Sequence, residues 1–302
     1  MGAASDLIRF DSKVALITGA GAGIGASTAL ELGKRGARVI INDPASDGRA
    51  EAICEEIRHD GGKAVANTMP VGDFDTARLI TGFAEETFGP VDILVNNAGI
   101  SRPGPFWTRT DEEILDVLNV NLTAPYALMR AVWPGMAEKK SGRIVNLCSS
   151  AALGSGVSGA YAASKAGLVG LTKDAAIAAK PYGVLVNGVM PSARTALLDN
   201  HPDRNFRDWM EKHMPPAFIA KLICWLVSEQ NTSTGSIYSA AGGYVSKIAF
   251  TESKGIFDAE LEPEDLPHLL DRVSDFEDST LINDQADHEK VVASFFPSPG
   301  IR

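Results

Sequence analysis

The chain has 302 residues, 45% of them apolar and 22% charged, the balance of a globular protein with room for one large or two small packed domains. Its formal net charge is −10, concentrated beyond residue 250, so no basic face for nucleic acid is expected. Three cysteines without CxxC spacing and five histidines without an HxxxH pair exclude a disulfide scaffold and give a metal centre no support.

In chain order, "KVALITG" (13–19) reads as a buried strand. It runs into "TGAGAGIG", Thr18 to Gly25, and a helix over 23–35. Glycines between a strand and a helix allow a tight turn and let backbone N–H groups reach a pyrophosphate at the helix N-terminus. The spacing is Gly19, Gly23, Gly25, not the plain GxGxxG. "ARVIIND" (37–43) is the second strand and ends on Asp43. An acid there accepts hydrogen bonds from an adenosine ribose and repels a 2′-phosphate. Ala20, Gly21 and Ala22 offer no base to neutralise that phosphate, so NAD is expected over NADP; the plainer role for Asp43 is to cap the next helix.

Helices follow over 47–60, 74–88, 111–138, 159–179 and 205–229. Between them lie the apolar runs "KAVAN" (63–67), "VDILVNNAG" (91–99), "GRIVNLCSS" (142–150) and "GVLVNGVMP" (183–191), and "GSIYSAAGG" (235–243) comes last. Continuous apolar strands separated by helices predict a doubly wound, Rossmann-type parallel sheet of seven strands covered on both faces, with ligands at the carboxyl ends of the strands. The helix over 159–179 carries Tyr161 and Lys165 in "GAYAASKAG". Residues i and i+4 share a helix face with Cβ atoms about 5–6 Å apart. A cation beside a phenol favours the phenolate and lowers the tyrosine's pKa, which suits it to proton exchange near neutral pH. The small neighbours leave room for a ligand or for a second helix; a homodimer or homotetramer is expected.

From residue 251 on, thirteen Asp or Glu face four Lys or Arg. This acidic stretch, 251–302, is expected as a helical extension without strand–helix alternation, packed on the domain formed by 1–250. No apolar run reaches the ~18 residues of a membrane span. "MGAASDLIRFDSK" has no secretory core and "PSPGIR" is not a peroxisomal address, so a cytoplasmic protein is expected.

With "TGAGAGIG", "NNAG" (Asn96–Gly99), Ser149 at a strand end and "YAASK" in this order over about residues 10–245, the chain resembles the classical short-chain dehydrogenase/reductases. The resemblance implies that Tyr161 is the general acid/base and that Lys165 lowers its pKa and holds a nicotinamide ribose. It implies that Ser149 bonds the substrate oxygen and that Asn121, in "NVNLTAPY", carries a water-linked relay to the lysine. Cofactor contacts are implied at Gly19, Gly23, Ile24, Gly25, Asp43, Asn97, Ala98, Gly99, Pro191 and Thr195, at Asp73 toward adenine, and at Asn96 on the adenosine side. Ser149 stands 12 residues before Tyr161 where the family has 13, so Ser150 is an alternative. Ser192 replaces the family's glycine after the sixth strand, and the substrate lid, 196–214, is short.

"VIINDP", "GGKAVAN", "PPAFIAKLICWLVSE", "SAAGGYVSKI" and "SDFED" extend the likeness to the dehydrogenase portion of the type 2 peroxisomal multifunctional enzymes and its bacterial stand-alone relatives. That implies oxidation of a secondary hydroxyl, on a (3R)-hydroxyacyl-CoA or on a 17β-type hydroxysteroid. Arg102 and Arg194, which follow the fourth and sixth strands, are candidates to meet a coenzyme A phosphate; Phe106, Trp107 and Trp209 are candidate walls for a steroid. A non-catalytic redox sensor that binds NAD(H) is the alternative of another class.

Overall fold

The computed structural model describes residues 7–194 and 203–296. The chain divides into two units, residues 1–247 and 248–302.

In the first unit, β1 (Val14–Thr18), β2 (Arg38–Asn42), β3 (Lys63–Asn67), β4 (Ile93–Asn96), β5 (Gly142–Leu147), β6 (Val184–Ser192) and β7 (Ile237–Ala241) are joined by α1 (Gly23–Lys34), α2 (Arg49–His59), α3 (Phe74–Phe88), α4 (Asp111–Leu118), α5 (Ala124–Glu138), α6 (Gly159–Ala179), α7 (Arg204–His213) and α8 (Pro216–Leu226). With β8 (Tyr244–Ile248) the strands form one sheet in the order β3-β2-β1-β4-β5-β6-β7-β8. Every pairing from β3 across to β7 is parallel.

Alternation along each strand divides the core. Ala15 and Ile17 of β1 and Val39 and Ile41 of β2 pack with buried residues of α1, α2 and α8. Val14, Leu16 and Ile40 pack with those of α3, α5 and α6. Each fully buried Leu or Ile contributes about 1.5–3 kcal/mol of transfer free energy, so neither helical layer is dispensable. The strand order reverses at β1, which has β2 on one side and β4 on the other. Chains leaving β1 and β4 therefore part to opposite faces and open a crevice at their carboxyl ends.

Three elements differ from the sequence expectation. An eighth strand follows the seventh: Gly242 and Gly243 both have positive φ, 48° and 93°, as the type I′ two-residue hairpin turn requires, so β8 returns beside β7. The helix expected over 111–138 has a five-residue π turn, Asn119–Thr123, between α4 and α5. The helix expected over 205–229 is two, because Pro215 is extended and Pro216 starts α8 afresh.

The second unit is not purely helical. It contains β9 (Phe250–Glu252) and β10 (Thr280–Ile282), paired antiparallel, with α9 (Leu266–Val273) and α10 (Gln285–Ala293). None of its described residues is buried. Among the described residues no helix is long and apolar enough to cross a membrane.

Candidate active site

A cleft of about 400 Å³ opens where the strand order reverses; its lining includes Gly19, Gly23, Ile24, Asp43, Asn97, Ala98 and Gly99 at one end and Ser149, Tyr161, Lys165 and Pro191 at the other. At the first end the backbone does most of the shaping. Gly19 and Gly23 have φ of 61° and 58°, the left-handed region that costs other residues energy. A Cβ on Gly19 would lie 2.8 Å from the Ala98 Cα, and one on Gly25 would collide with the Gly19 carbonyl. Gly25 thus serves the packing of loop on helix, and it does not line the cleft.

The loop after β4 is strapped to the glycine loop. Thr18 Oγ1 accepts from the N–H groups of Asn97 (3.1 Å) and Ala98 (3.0 Å), and Asn97 Nδ2 donates to the carbonyls of Thr18 and Gly19, both at 2.9 Å. Asn96 points the other way, into the core, where its Nδ2 donates to Asn146 Oδ1 at 2.8 Å. It does not reach the adenosine side. Asp43 is buried at the cleft wall, with Oδ2 accepting from Gly21 N and Oδ1 from Ala45 N, each at 3.0 Å. It does not cap α2, whose N-cap is Gly48 and has no side-chain bond. Asp73 caps α3, accepting from Thr76 N at 2.7 Å, and it is absent from the lining; the implied adenine contact falls on a residue engaged elsewhere. Thr195 lies outside the described residues.

At the other end, α6 presents Tyr161 and Lys165 to the cleft from adjacent turns. Lys165 Nζ donates to the Leu147 carbonyl at 2.6 Å and stands 5.7 Å from the centre of the Tyr161 ring. Ser149, just beyond β5, lines the cleft with Tyr161, and its hydroxyl accepts from Ala151 N at 3.1 Å. Ser150 begins a short 3-10 turn, is exposed and is not part of the lining. Of the two candidates, Ser149 is the one that shares the cleft with Tyr161.

The electrostatics differ from the expectation. Burial raises the Tyr161 pKa above its ordinary value, and the Ser149 hydroxyl, not Lys165, pulls it back. Burial drops the Lys165 ammonium to about 8. The lysine is 3% exposed and its charge is spent largely against its own desolvation. In the cleft as it stands the phenol is the proton-bearing form.

Asn121 sits in the π turn and is fully buried. Its Oδ1 accepts from Ile100 N (2.9 Å), and its Nδ2 donates to Ile100 O (2.8 Å) and Ser164 Oγ (3.3 Å). Ser164 in turn donates to the Tyr161 carbonyl at 2.8 Å. A Cβ on Gly99 would lie 3.3 Å from Asn121 Oδ1 and 3.7 Å from Lys165 Nζ. Asn121 therefore pins the loop after β4 against α6, beside the lysine. π turns are frequent at functional sites; in the sequence the only trace is an Asn-containing, β-branched run, "NVNLT", inside a helical pattern.

Arg102 is exposed and lines a separate cavity of about 270 Å³ with Phe106 and Arg109. Arg194 pairs with Glu211 at 3.3 Å. Neither lines the main cleft. Trp107 is 84% exposed, and Trp209 stacks on Phe206. The residue that sequence reading missed is Arg49, the first of α2, which lines the cleft beside Asp43. Arg49 lies far along the chain from the glycine loop, and Gly48, with φ 78°, turns the chain so that its side chain meets Gly21.

The residues present suit a dinucleotide. Two left-handed glycines and the sterically bare Gly19–Gly25 approach form a cradle at a helix N-terminus, and a buried ammonium at the far end has donors beyond the one it gives to Leu147.

Residues 13–203 match the family model for short chain dehydrogenases. The chain is 35% identical over 279 residues to the peroxisomal multifunctional enzyme A of Dictyostelium discoideum, covering 89% of this chain and 62% of that protein. It is 34% identical over 287 residues to the peroxisomal hydratase-dehydrogenase-epimerase of Neurospora crassa, covering 90% and 31%. It thus spans less than two thirds of these relatives. A solved short chain dehydrogenase from Mycobacterium avium superposes with a TM-score of 0.77 at 35% identity, covering 87% of this chain and 94% of that one.

Proposed function

The chain belongs to the short chain dehydrogenase family of oxidoreductases, and from that premise we propose that it interconverts a secondary alcohol and a ketone with NAD, its substrate a (3R)-hydroxyacyl-CoA. The observation that carries the reaction is the Ser149–Tyr161–Lys165 group at the cleft end opposite the glycine cradle.

When bound, the nicotinamide supplies the hydride acceptor or donor. The protein handles the proton. Tyr161 Oη receives the hydroxyl proton of the alcohol or returns it to the ketone oxygen. Ser149, which lines the same end of the cleft as that phenol, is placed to bond the same substrate oxygen. Lys165 carries a positive charge below about pH 8 and would hold the nicotinamide ribose with the donors it does not give to Leu147. Because burial keeps the free phenol protonated near neutrality, ketone reduction is favoured at pH 7 and alcohol oxidation gains as pH rises. Asn121 positions the loop after β4 and, through Ser164, the first turn of α6.

Asp43 supports NAD. Its carboxylate is fixed by two backbone N–H groups at the place where a ribose hydroxyl would be read. The acyl-CoA substrate draws on the likeness to relatives named hydratase-dehydrogenase-epimerases. A hydroxysteroid is the second reading, supported by the exposed Phe106 and Trp107 on the loop after β4. A redox sensor has no need of a complete proton-handling set. A cytoplasmic homo-oligomer completes the proposal, with the small residues of α6 as a contact face. The test is reduction of NAD+ across a panel of (3R)-hydroxyacyl-CoAs, 17β-hydroxysteroids and simple secondary alcohols. Preferred turnover of the acyl-CoAs is expected. Preference for the steroid would shift the assignment, and binding of NADH without turnover of any member would overturn it in favour of a sensor.

A further inference from the structure

We propose that Asp47 and Arg49 together set the preference between the two nicotinamide dinucleotides: Asp47 ties down a guanidinium that faces the adenosine end of the cleft and would otherwise receive a 2′-phosphate. This rests on the reading that the cleft holds such a dinucleotide.

Arg49 enters the cleft wall because Gly48 adopts a left-handed conformation at the start of α2. Its stem lies across Gly21, where an added Cβ would meet both Arg49 carbons and Asp43 Oδ2. The guanidinium is therefore carried over the glycine loop, on the side that Asp43 walls. Asp43, held by two backbone N–H groups, attracts it only through space. Asp47 bonds it directly. Arg49 Nε stands 2.9 Å from each Asp47 oxygen, and Nη2 donates to Oδ2 as well. Arg49 in turn holds the Asp47 carboxyl down near 2, so the pair is ionised across the working pH range.

The adenosine end thus carries Arg49 and Asp43 in its lining, with Asp47 bonded to the arginine. A guanidinium is the group best shaped to take a phosphate through two parallel hydrogen bonds. Here the Nε/Nη2 edge of that group is already taken by a carboxylate two residues away. Removing the Asp47 charge leaves Arg49 with an open fork and only Asp43 to oppose it. The geometry makes Asp47 the residue that keeps this base from acting, and Asp43 the one that reads the ribose.

The experiment is calorimetric titration of 5′-AMP and 2′,5′-ADP into the full-length protein, with NADH and NADPH binding followed by fluorescence. The proteins are the wild type, Asp47→Asn, and Asp47→Asn combined with Arg49→Gln. Asp47→Asn should tighten 2′,5′-ADP by roughly 5–10-fold and change 5′-AMP by less than about twofold, the effect of one partly exposed charge-assisted contact. Adding Arg49→Gln should return the ratio to the wild-type value. NADPH relative to NADH should follow the same pattern. Retained 5′-AMP binding serves as the check on folding. An unchanged ratio in Asp47→Asn overturns the proposal, as does a tightening that survives the loss of Arg49. Wild type that binds NADH with the ratio unmoved in the variant fails this proposal alone; wild type that binds none of the four ligands fails the dinucleotide reading as well.

Discussion

The glycine-loop end and the α6 end of the cleft solve different problems. At the first, Gly19, Gly23, Ala98 and Gly99 offer little beyond backbone, and function depends on what is missing: a Cβ at Gly19 would strike Ala98. At the second, a lysine, a tyrosine and a serine converge, and function depends on charges held out of water. The first end tolerates almost no added volume. The second tolerates little change in charge. One cleft is thereby both a shape filter and an electrostatic device, and damage at the two ends should look different.

The largest effect is expected at the α6 end. Lys165→Met should lower turnover by about 10²–10⁴-fold, read from kcat with saturating cofactor. The same variant has a signature in stability. Lys165 titrates near 8 in the folded chain and at 10.5 when exposed. Between those values the unfolded state holds more protons, so this group's contribution is complete above pH 10.5 and is lost as pH falls through 8. The unfolding free energy of the wild type minus that of Lys165→Met should therefore rise by about 3 kcal/mol from pH 8 to 10.5. The difference is the quantity to measure, because Cys54 and Cys224, each pushed up to about 11 by burial, act with opposite sign in both proteins and cancel; Cys148, which faces Lys165, is replaced by Ala in both. A flat difference would mean that the ammonium is not desolvated.

At the glycine end the effect is smaller and of another kind. Gly19→Ala places a Cβ at a φ of 61° and against Ala98. It should cost about 1–3 kcal/mol in urea unfolding and weaken NADH binding, with no change in the pH dependence of turnover. A pH profile that moved with this substitution would show that the two ends are not separable.

The difference between the ends also explains what could be read from the sequence. Shape requirements leave local marks, so Gly19, Gly23 and "NNAG" were visible as spacing, and so was the strand–helix alternation that builds the sheet. Tyr161 and Lys165 were visible because one helix carries both. Tertiary effects were not. Lys165 was expected to lower the tyrosine's pKa, yet burial dominates both groups, and burial is set by how α6 seats against β5 and β6. The π turn at Asn121 sits inside an otherwise unbroken helical pattern, and local periodicity does not report one extra residue per turn. Asn96 was misplaced because "NN" does not say which asparagine faces the core. Arg49 depends on a left-handed Gly48, and the β9–β10 pair joins segments 28 residues apart, beyond the reach of any local pattern.

The central claim is that the Tyr161 hydroxyl moves the proton in a cleft whose cofactor end works independently of it. Tyr161→Phe removes that oxygen and leaves the ring, the lysine and the glycine loop in place. Its NADH affinity and its turnover, measured on one preparation, are the direct test: binding within about twofold of wild type with turnover down by about 10²–10⁴-fold is predicted. Turnover close to that of the unaltered enzyme would contradict it.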